Sequence, residues 1–195
     1  ETDIYISIFA SNTYEQFKSK LEELEKANID SLIIDVRYNS GGHLTTATKI
    51  ISLFLSSDKV IYQIEDSSGT QKHYSQGTIT KEYPIVVLVN GNSASASEIL
   101  ASALKEQYNA ILVGKKTYGK GTVQELLKTK NGIQYKITTQ HWLTSKGNWI
   151  DKQGIDVDYD VELTDKYLSN PIDENDSQLN KACLLYTSDA ADERS

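Results

Sequence analysis

A short apolar block leads into a run of small residues in the stretch Pro84-Ile-Val-Val-Leu-Val-Asn-Gly-Asn-Ser-Ala-Ser-Ala-Ser-Glu-Ile-Leu100. The block from Pro84 to Val89 has the length and the β-branched content of a buried strand. From Glu98 onward, apolar residues recur with helical spacing. A serine therefore lies where a strand ends and a helix begins. Free backbone N–H groups and the helix dipole favour negative charge at such a position.

The serine run has two interpretations. Ser95 and Glu98 have the spacing of a capping box, with Ser95 as the N-cap and Glu98 as the third helical residue. Alternatively, a serine of this run is a nucleophile. Ser93, Ser95 and Ser97 are equally suited to that role by spacing, so the run alone does not select among them.

Composition limits the classes of protein to consider. The chain has 195 residues, which is enough for one domain with a sizeable core. Its net charge of −7 argues against a nucleic-acid partner or an anionic membrane surface. A transmembrane helix is not predicted, because there is no run of about 18 apolar residues. The chain starts at Glu1 and contains no Met, which predicts a piece of a longer reading frame.

The C-terminal end differs in character from the rest. Cys183 to Ser195 resembles the translation of a transposon-end sequencing adapter, and we leave it out of the fold prediction. This removes the only Cys, so neither a disulfide nor a cysteine metal site is predicted. We predict a catalytic core over residues 1–163, a polar tail or the start of a lost C-terminal segment over 164–182, and the adapter over 183–195.

The order of predicted elements favours an α/β fold. Buried or half-buried strands alternate with helices, and an Asn12/Glu15 capping box is expected to start the first helix. This order predicts buried parallel strands. Lys130-Asn-Gly132, between two strand-like runs, adds an antiparallel hairpin. Loops that follow parallel strands meet at one edge of the sheet. The loops Ser40–Gly42, Ser93–Ser97 and Gly119–Gly121 should therefore lie together.

The histidines do not suggest a catalytic triad or a metal site. His43, His73 and His141 are far apart in the sequence and lack metal-ligand spacing, and the chain has no G-x-S-x-G motif. A structural or surface role is the simpler interpretation for each. No metal and no organic cofactor is predicted.

A lysine can replace histidine as the base. Lys120 lies between two glycines, and an extended chain after it would bring Lys120, Thr122 and Gln124 onto one face. Gln124 could then orient the amine. Lysine acts as a base only when neutral, desolvation favours the neutral form, and Ser-Lys pairs are known. The alternative is that Lys120 is an ordinary surface charge.

A nucleotide site is not expected, although one motif resembles it. Gly114-x-x-x-x-Gly119-Lys120 has the spacing of a P-loop as far as the lysine. A P-loop then requires Ser or Thr directly after the lysine, and a helix. Here Gly121 follows, and the next residues are predicted to form a strand.

Three motifs together resemble those of the carboxyl-terminal processing (tail-specific) serine peptidases. They are Asp35-Val-Arg-Tyr-Asn-Ser-Gly-Gly42, Asn90 to Leu100, and Tyr118-Gly-Lys-Gly-Thr-Val-Gln124. Their order and separation also resemble that family, and the resemblance extends over about Ile4 to Leu163. One departure is Ser40, where the family often has Pro.

The resemblance implies a crotonase-like α/β fold and a Ser-Lys peptidase. By motif match, Ser95 would be the nucleophile, Lys120 the general base and Gln124 its positioning residue. The oxyanion hole would use the backbone N–H of Ala96 and of Gly41 or Gly42. Substrates would be proteins with accessible apolar C-terminal segments. The family also implies an upstream PDZ module and an extracytoplasmic setting, either periplasmic or cell-envelope.

Two alternatives remain at this point. One is a catalytically silent relative that binds polypeptide or an apolar ligand on the same scaffold. The other is a crotonase-type acyl-CoA enzyme, which would share the fold and would not depend on Lys120. The sequence does not indicate the oligomeric state.

Overall fold

The computed structural model describes residues 2–129 and 131–192. Its helices are α1 (Thr13–Lys26), α2 (Leu44–Ile51), α3 (Ala96–Ala103), α4 (Asp165–Ser169) and α5 (Ser177–Asp192). A π-helical turn, Leu104–Tyr108, extends α3, and a 3₁₀ helix spans Asp173–Asn175. The strands are β1 (Asp3–Tyr5), β2 (Leu32–Asp35), β3 (Val60–Asp66), β4 (Gly69–Tyr74), β5 (Ile85–Val89), β6 (Ile111–Gly114), β7 (Thr122–Lys128), β8 (Gln134–Leu143) and β9 (Tyr159–Asp160).

The short apolar runs form a parallel sheet in the order β1-β2-β5-β6-β9. All residues of β2 and β5 are buried. Their side chains alternate between two apolar clusters. Leu32 and Ile34 belong to the cluster that includes residues of α1, α2 and α3, whereas Ile33 and Val86 pack with Ala182 of α5. Helices thus cover both faces, which explains why these strands read as continuous apolar runs. The predicted α/β fold with buried parallel strands is confirmed.

A second, antiparallel sheet has the order β4-β3-β8-β7. The predicted hairpin is confirmed, because β7 and β8 pair on either side of Asn131-Gly132, while Lys130 lies outside the described residues. Gly132 has φ +81°, a conformation that glycine adopts without strain. A β-bulge between Val123 and Gln124 shifts the register just after β7 begins.

The predicted cap of α1 is wrong. Asn12 has a helical backbone conformation, and its side chain makes no capping hydrogen bond. A side-chain cap needs an extended backbone at the N-cap, so the Asn12 amide is badly oriented for that role. The Thr13 hydroxyl stabilises this turn instead, because it accepts the N–H of Ala10 and donates to the carbonyl of Ile8, both at 3.0 Å.

The segment predicted to be a polar tail contains α4, the 3₁₀ helix and the start of α5, and it packs on the end of β2. Asp176 is 2% exposed, and its carboxylate lies 2.8 Å from Nη1 of Arg37. Nη2 of Arg37 also lies 2.6 Å from the Asp35 carboxylate. Burial alone would lower the pKa of Arg37, but hydrogen bonds and charges from Asp35 and Asp176 outweigh it and raise that pKa. The other Asp176 oxygen accepts the N–H groups of Gln178 and Leu179 at the start of α5.

Helix α5 continues into the adapter-like sequence. Cys183 is exposed, whereas the Tyr186 hydroxyl donates to the carbonyl of Leu32 at 2.5 Å. The domain boundaries and the adapter interpretation stay predictions.

We expect Asp176→Asn to lower the free energy of unfolding by about 1.5–3 kcal/mol, the range for hydrogen bonds to charged groups. Asn keeps the helix cap, so the loss would report on the missing charge beside buried Arg37. The control is Asp173→Asn, since Asp173 is exposed, and we expect a change within about 0.5 kcal/mol. Urea unfolding followed by circular dichroism measures both. Equal losses in the two variants would contradict a stabilising ion pair.

Candidate active site

Three loops contact one another at the carboxyl edge of the parallel sheet. The carbonyl of Asn39, after β2, accepts the N–H of Ala94, after β5, at 3.1 Å. The carbonyl of Ser93 accepts the N–H of Tyr118, after β6, at 3.0 Å. The loops that the strand order predicts to converge are therefore neighbours. They contain Ser40–Gly42, Ser93–Ser97 and Gly119–Gly121.

Ser93 and Ser97 use their hydroxyls to hold two of these loops together. The Ser93 hydroxyl donates to the carbonyl of Val36 at 2.8 Å and accepts the N–H of Asn90 at 2.9 Å. The Ser97 hydroxyl donates to the carbonyl of Asn39 at 2.8 Å. Both serines are 0% exposed. Their structural roles leave Ser95 as the serine of this run that is available for chemistry.

Ser95 lies on a strained turn between β5 and α3. Its backbone has φ 56° and ψ −116°, a combination that residues with a side chain rarely adopt. Ser95 is the N-cap of α3, and the Glu98 carboxylate accepts its N–H at 3.0 Å, as the capping-box interpretation predicts. Nucleophilic serines of α/β-hydrolases also occupy sharp strand-to-helix turns. Capping and catalysis are therefore compatible at Ser95.

Backbone amides beside Ser95 are suited to hold negative charge. Ala96 is the first residue of α3, so its N–H has no partner within the helix. Gly41 packs against this turn, since a Cβ built on it would lie 2.9 Å from Ser95 Cβ and 3.3 Å from Ala96 N. The Gly41 N–H, however, donates to Oδ1 of Asn39 at 2.9 Å. Gly41 must release Asn39 before it can bind an oxyanion, whereas no described hydrogen bond uses the N–H of Gly42.

Glu98 connects the serine turn to the lysine loop. Its carboxylate is completely buried. One oxygen, Oε2, accepts the N–H of Ser95 at 3.0 Å and the N–H of Lys120 at 2.8 Å. The other oxygen, Oε1, accepts the Thr117 hydroxyl at 2.6 Å and the Gly119 N–H at 2.7 Å. The backbones of Ser95 and Lys120 are therefore fixed to the same oxygen atom.

Sequence reasoning assigned Glu98 only the capping role. The donors from the lysine loop lie 19, 21 and 22 residues further along the chain, beyond the reach of local motifs. One signal was present in the sequence. Glu98 is the only charged residue between Ala94 and Leu104, a stretch otherwise made of small and apolar residues. A carboxylate buried in such a stretch must be matched by hydrogen-bond donors from elsewhere.

Lys120, Thr122 and Gln124 line one cleft of about 680 Å³. The bulge between Val123 and Gln124 interrupts strict alternation, and bulges beside active sites often re-aim a side chain. Ala94, next to Ser95, lines the same cleft. Lys120 and Gln124 are exposed, so water reaches both side chains in the free chain.

The chain as a whole matches a peptidase family. The profile described as peptidase family S41 matches residues 3–161. The chain belongs to this family. The resemblance to C-terminal processing peptidases that the three motifs suggested is confirmed.

Relatives of this S41 chain are named as C-terminal processing proteases. The carboxy-terminal processing protease CtpB of Bacillus subtilis (strain 168) is 42% identical over 170 residues, covering 87% of this chain and 35% of CtpB. The carboxyl-terminal-processing protease of Synechocystis sp. is 38% identical over 160 residues, covering 82% and 37%. The structure of the photosystem II D1 C-terminal processing protease matches with a TM-score of 0.76 and 30% identity, covering 82% of this chain and 42% of that one. This chain thus spans little more than a third of the curated relatives.

Two histidines of this S41 chain lie in the antiparallel sheet, and neither lines the cleft. His73 stacks on Tyr62 with ring centroids 4.4 Å apart. His141 packs against Trp149, also at 4.4 Å. These contacts fit the structural interpretation. The basic side chains that line the cleft are therefore lysines, Lys120 and Lys152, and the backbone of Lys120 is bound to Glu98.

Proposed function

We propose that this chain is the catalytic core of a serine peptidase of the C-terminal processing type, which cleaves polypeptides with accessible apolar C-terminal segments. Membership of family S41 supports the peptidase class. The observation that carries the proposal is the shared oxygen of Glu98, which accepts the N–H of Ser95 at 3.0 Å and that of Lys120 at 2.8 Å. One buried carboxylate thus fixes the backbones of the proposed nucleophile and the proposed base relative to each other.

In the proposed reaction, the neutral amine of Lys120 takes the proton of the Ser95 hydroxyl as Oγ attacks the carbonyl carbon of the scissile peptide. The N–H of Ala96, with that of Gly41 or Gly42, stabilises the resulting oxyanion. The ammonium of Lys120 then protonates the leaving nitrogen, the C–N bond breaks, and an ester forms on Ser95. Lys120 then takes a proton from water as the water oxygen attacks this ester, the bond from the acyl carbon to Ser95 Oγ breaks to release the acid, and Lys120 returns the proton to Oγ.

The substrate itself would complete the site. Lys120 is exposed in the free chain, and a polypeptide that fills the cleft would remove water from its amine. Desolvation favours the neutral form that a base requires. Gln124 lines the same cleft, and we assign it the role of holding that amine in place. The reaction needs neither a metal nor an organic cofactor.

The test is reaction with a fluorophosphonate probe and with an unfolded protein that ends in an apolar segment. Tandem mass spectrometry should find the probe on Ser95, and the unfolded protein should be cleaved. Lys120→Ala should lower both rates by about 10²- to 10⁴-fold. Lys116, which pairs with Asp156 at 3.0 Å, is the control, and Lys116→Ala should stay within about twofold.

Other outcomes support the alternatives. A folded chain that neither reacts with the probe nor cleaves protein would be a silent, polypeptide-binding relative. Hydrolysis of an acyl-CoA that survives Lys120→Ala would indicate a crotonase-type enzyme.

The setting of the full-length protein is also a proposal. In the part of the chain that the structure describes, no helix is long and apolar enough to cross a bilayer. On family resemblance, we propose an extracytoplasmic location in the periplasm or cell envelope, and a PDZ module that delivers the substrate. Retention of activity by this chain alone, measured in the assay above, would show that delivery is dispensable.

A further inference from the structure

Backbone strain is concentrated around the cleft. Asn28 and Asn109 have positive φ, but asparagine tolerates this conformation. The other described non-glycine residues with positive φ are Tyr38 at 60°, Ser95 at 56° and Lys152 at 57°. Tyr38 and Lys152 line the cleft, and Ser95 follows a residue that does. A bulky residue in the left-handed region is retained where the surroundings impose it, often at functional sites.

Contacts on both sides impose the conformation of Tyr38. Before it, Arg37 is buried and paired with Asp35. After it, Asn39 is completely buried, and its Nδ2 donates to the carbonyl of Ile6 at 2.8 Å. The N–H of Tyr38 itself donates to Oδ1 of Asn90 at 3.0 Å. The main chain is therefore fixed, and the Tyr38 ring must point away from the core.

Tyr38 lines the cleft and also the neighbouring pocket that Tyr167 and Asp176 line. Tyr38 is 56% exposed, although Arg37 and Asn39 on either side of it are buried. Tyr118 is 66% exposed and also lines the cleft, on the loop that carries Lys120. Two exposed tyrosines thus line the cleft, one on the loop after β2 and one on the loop that carries Lys120. Tyrosine rings supply a large contact area at low conformational-entropy cost, which suits recognition of a partner side chain.

We propose that Tyr38 is a specificity-determining residue, whose ring packs on a large apolar or aromatic side chain of the bound polypeptide, with Tyr118 as the second aromatic contact. This inference rests on the proposed function, because it requires a polypeptide in the cleft. The strained backbone at Tyr38 also makes a prediction about the thermal stability of the chain. A residue that tolerates positive φ should stabilise the fold and weaken recognition at the same time.

The test uses the full chain with Ser95→Ala, so that binding is measured without cleavage. The probes are two fluorescein-labelled decapeptides, identical except that three alternate positions are Phe in one and Ser in the other. Tyr38→Asn should reduce the preference for the Phe peptide, the ratio of the two Kd values, by about threefold to tenfold. It should also raise the Tm by about 2–4 °C. Fluorescence anisotropy and thermal unfolding give the two readouts.

Two matched variants separate recognition from general effects. Tyr38→Phe keeps the ring and the strain, so both the preference and the Tm should match those of the Ser95→Ala parent. Tyr74 is 52% exposed on β4 and does not line the cleft, so Tyr74→Asn should leave the preference unchanged.

Two results would overturn the inference. One is an unchanged preference in Tyr38→Asn with folding intact, and the other is a Tm that falls. A third result is that the preference for the Phe peptide depends on Tyr38 while the chain with intact Ser95 fails to cleave protein. That combination would keep the inference and reject the peptidase reaction. Cleavage by the chain with intact Ser95, together with a peptide preference that does not depend on Tyr38, would support the peptidase reaction and reject the inference.

Discussion

Ser95→Ala should lower kcat for polypeptide cleavage by about 10⁴- to 10⁶-fold, while the free energy of unfolding changes by less than about 1 kcal/mol. Alanine removes the oxygen that we propose as the nucleophile and keeps the backbone contacts of the turn. The Ser95 N–H donates to Glu98 at 3.0 Å, and the Ser95 carbonyl accepts the N–H groups of Glu98 and Ile99. Initial rates on an unfolded substrate and urea unfolding by circular dichroism measure the two effects.

Ser97→Ala is the matched control, because it removes the same hydroxyl two residues away. We expect the opposite pattern, with kcat within about tenfold and a loss of stability of about 1–3 kcal/mol. The reason is that the buried carbonyl of Asn39 would lose the Ser97 hydroxyl, which donates to it at 2.8 Å. Activity lost in Ser97→Ala and kept in Ser95→Ala would reassign the nucleophile to Ser97.

The fold was predictable where local pattern and tertiary structure agree. β5 and the first three residues of β2 are apolar because helices cover both faces of their sheet, and this burial produces short runs rich in Val, Ile and Leu. The hairpin was predictable from Asn131-Gly132, because few residues other than glycine fit its tight turn. The segment over 164–182 was not predictable in this way. Asp176 is buried through a pair with Arg37, which is remote in sequence and leaves no periodic signal.

The sequence predicted which loops form the candidate site, but not the roles of the individual serines. Parallel strands bring their carboxyl ends to one edge, so three loops could be expected to meet. The roles of the serines within the loop were not encoded in their spacing. Ser93 and Ser97 differ from Ser95 because Val36 and Asn39, from another loop, accept their hydroxyls. Such partners depend on the tertiary structure, and no local rule identifies them.

Glu98→Gln should lower kcat by about 10²-fold or more and destabilise the chain by about 2–5 kcal/mol. The carboxylate of Glu98 accepts four donors, two on each oxygen. Glutamine replaces one oxygen with an NH₂ group, so two donors would face another donor. If that pair is Ser95 and Lys120, the proposed nucleophile and the proposed base lose their common anchor. If it is Thr117 and Gly119, the loop that carries Lys120 is released.

The measurement must separate positioning from folding. Cleavage and fluorophosphonate labelling should both slow in Glu98→Gln at a temperature where circular dichroism shows a folded chain, because both need an aligned Ser95 and Lys120. Glu106 provides the control, since its carboxylate accepts the Ser145 hydroxyl at 2.5 Å and the Lys146 N–H at 2.8 Å outside the cleft. Glu106→Gln should leave kcat within about twofold. A Glu98→Gln chain that is less stable but labels at the parent rate would make Glu98 a purely structural residue. Slower cleavage and labelling in Glu98→Gln, but not in Glu106→Gln, would show that Glu98, the third residue of α3, holds the proposed nucleophile and base in position.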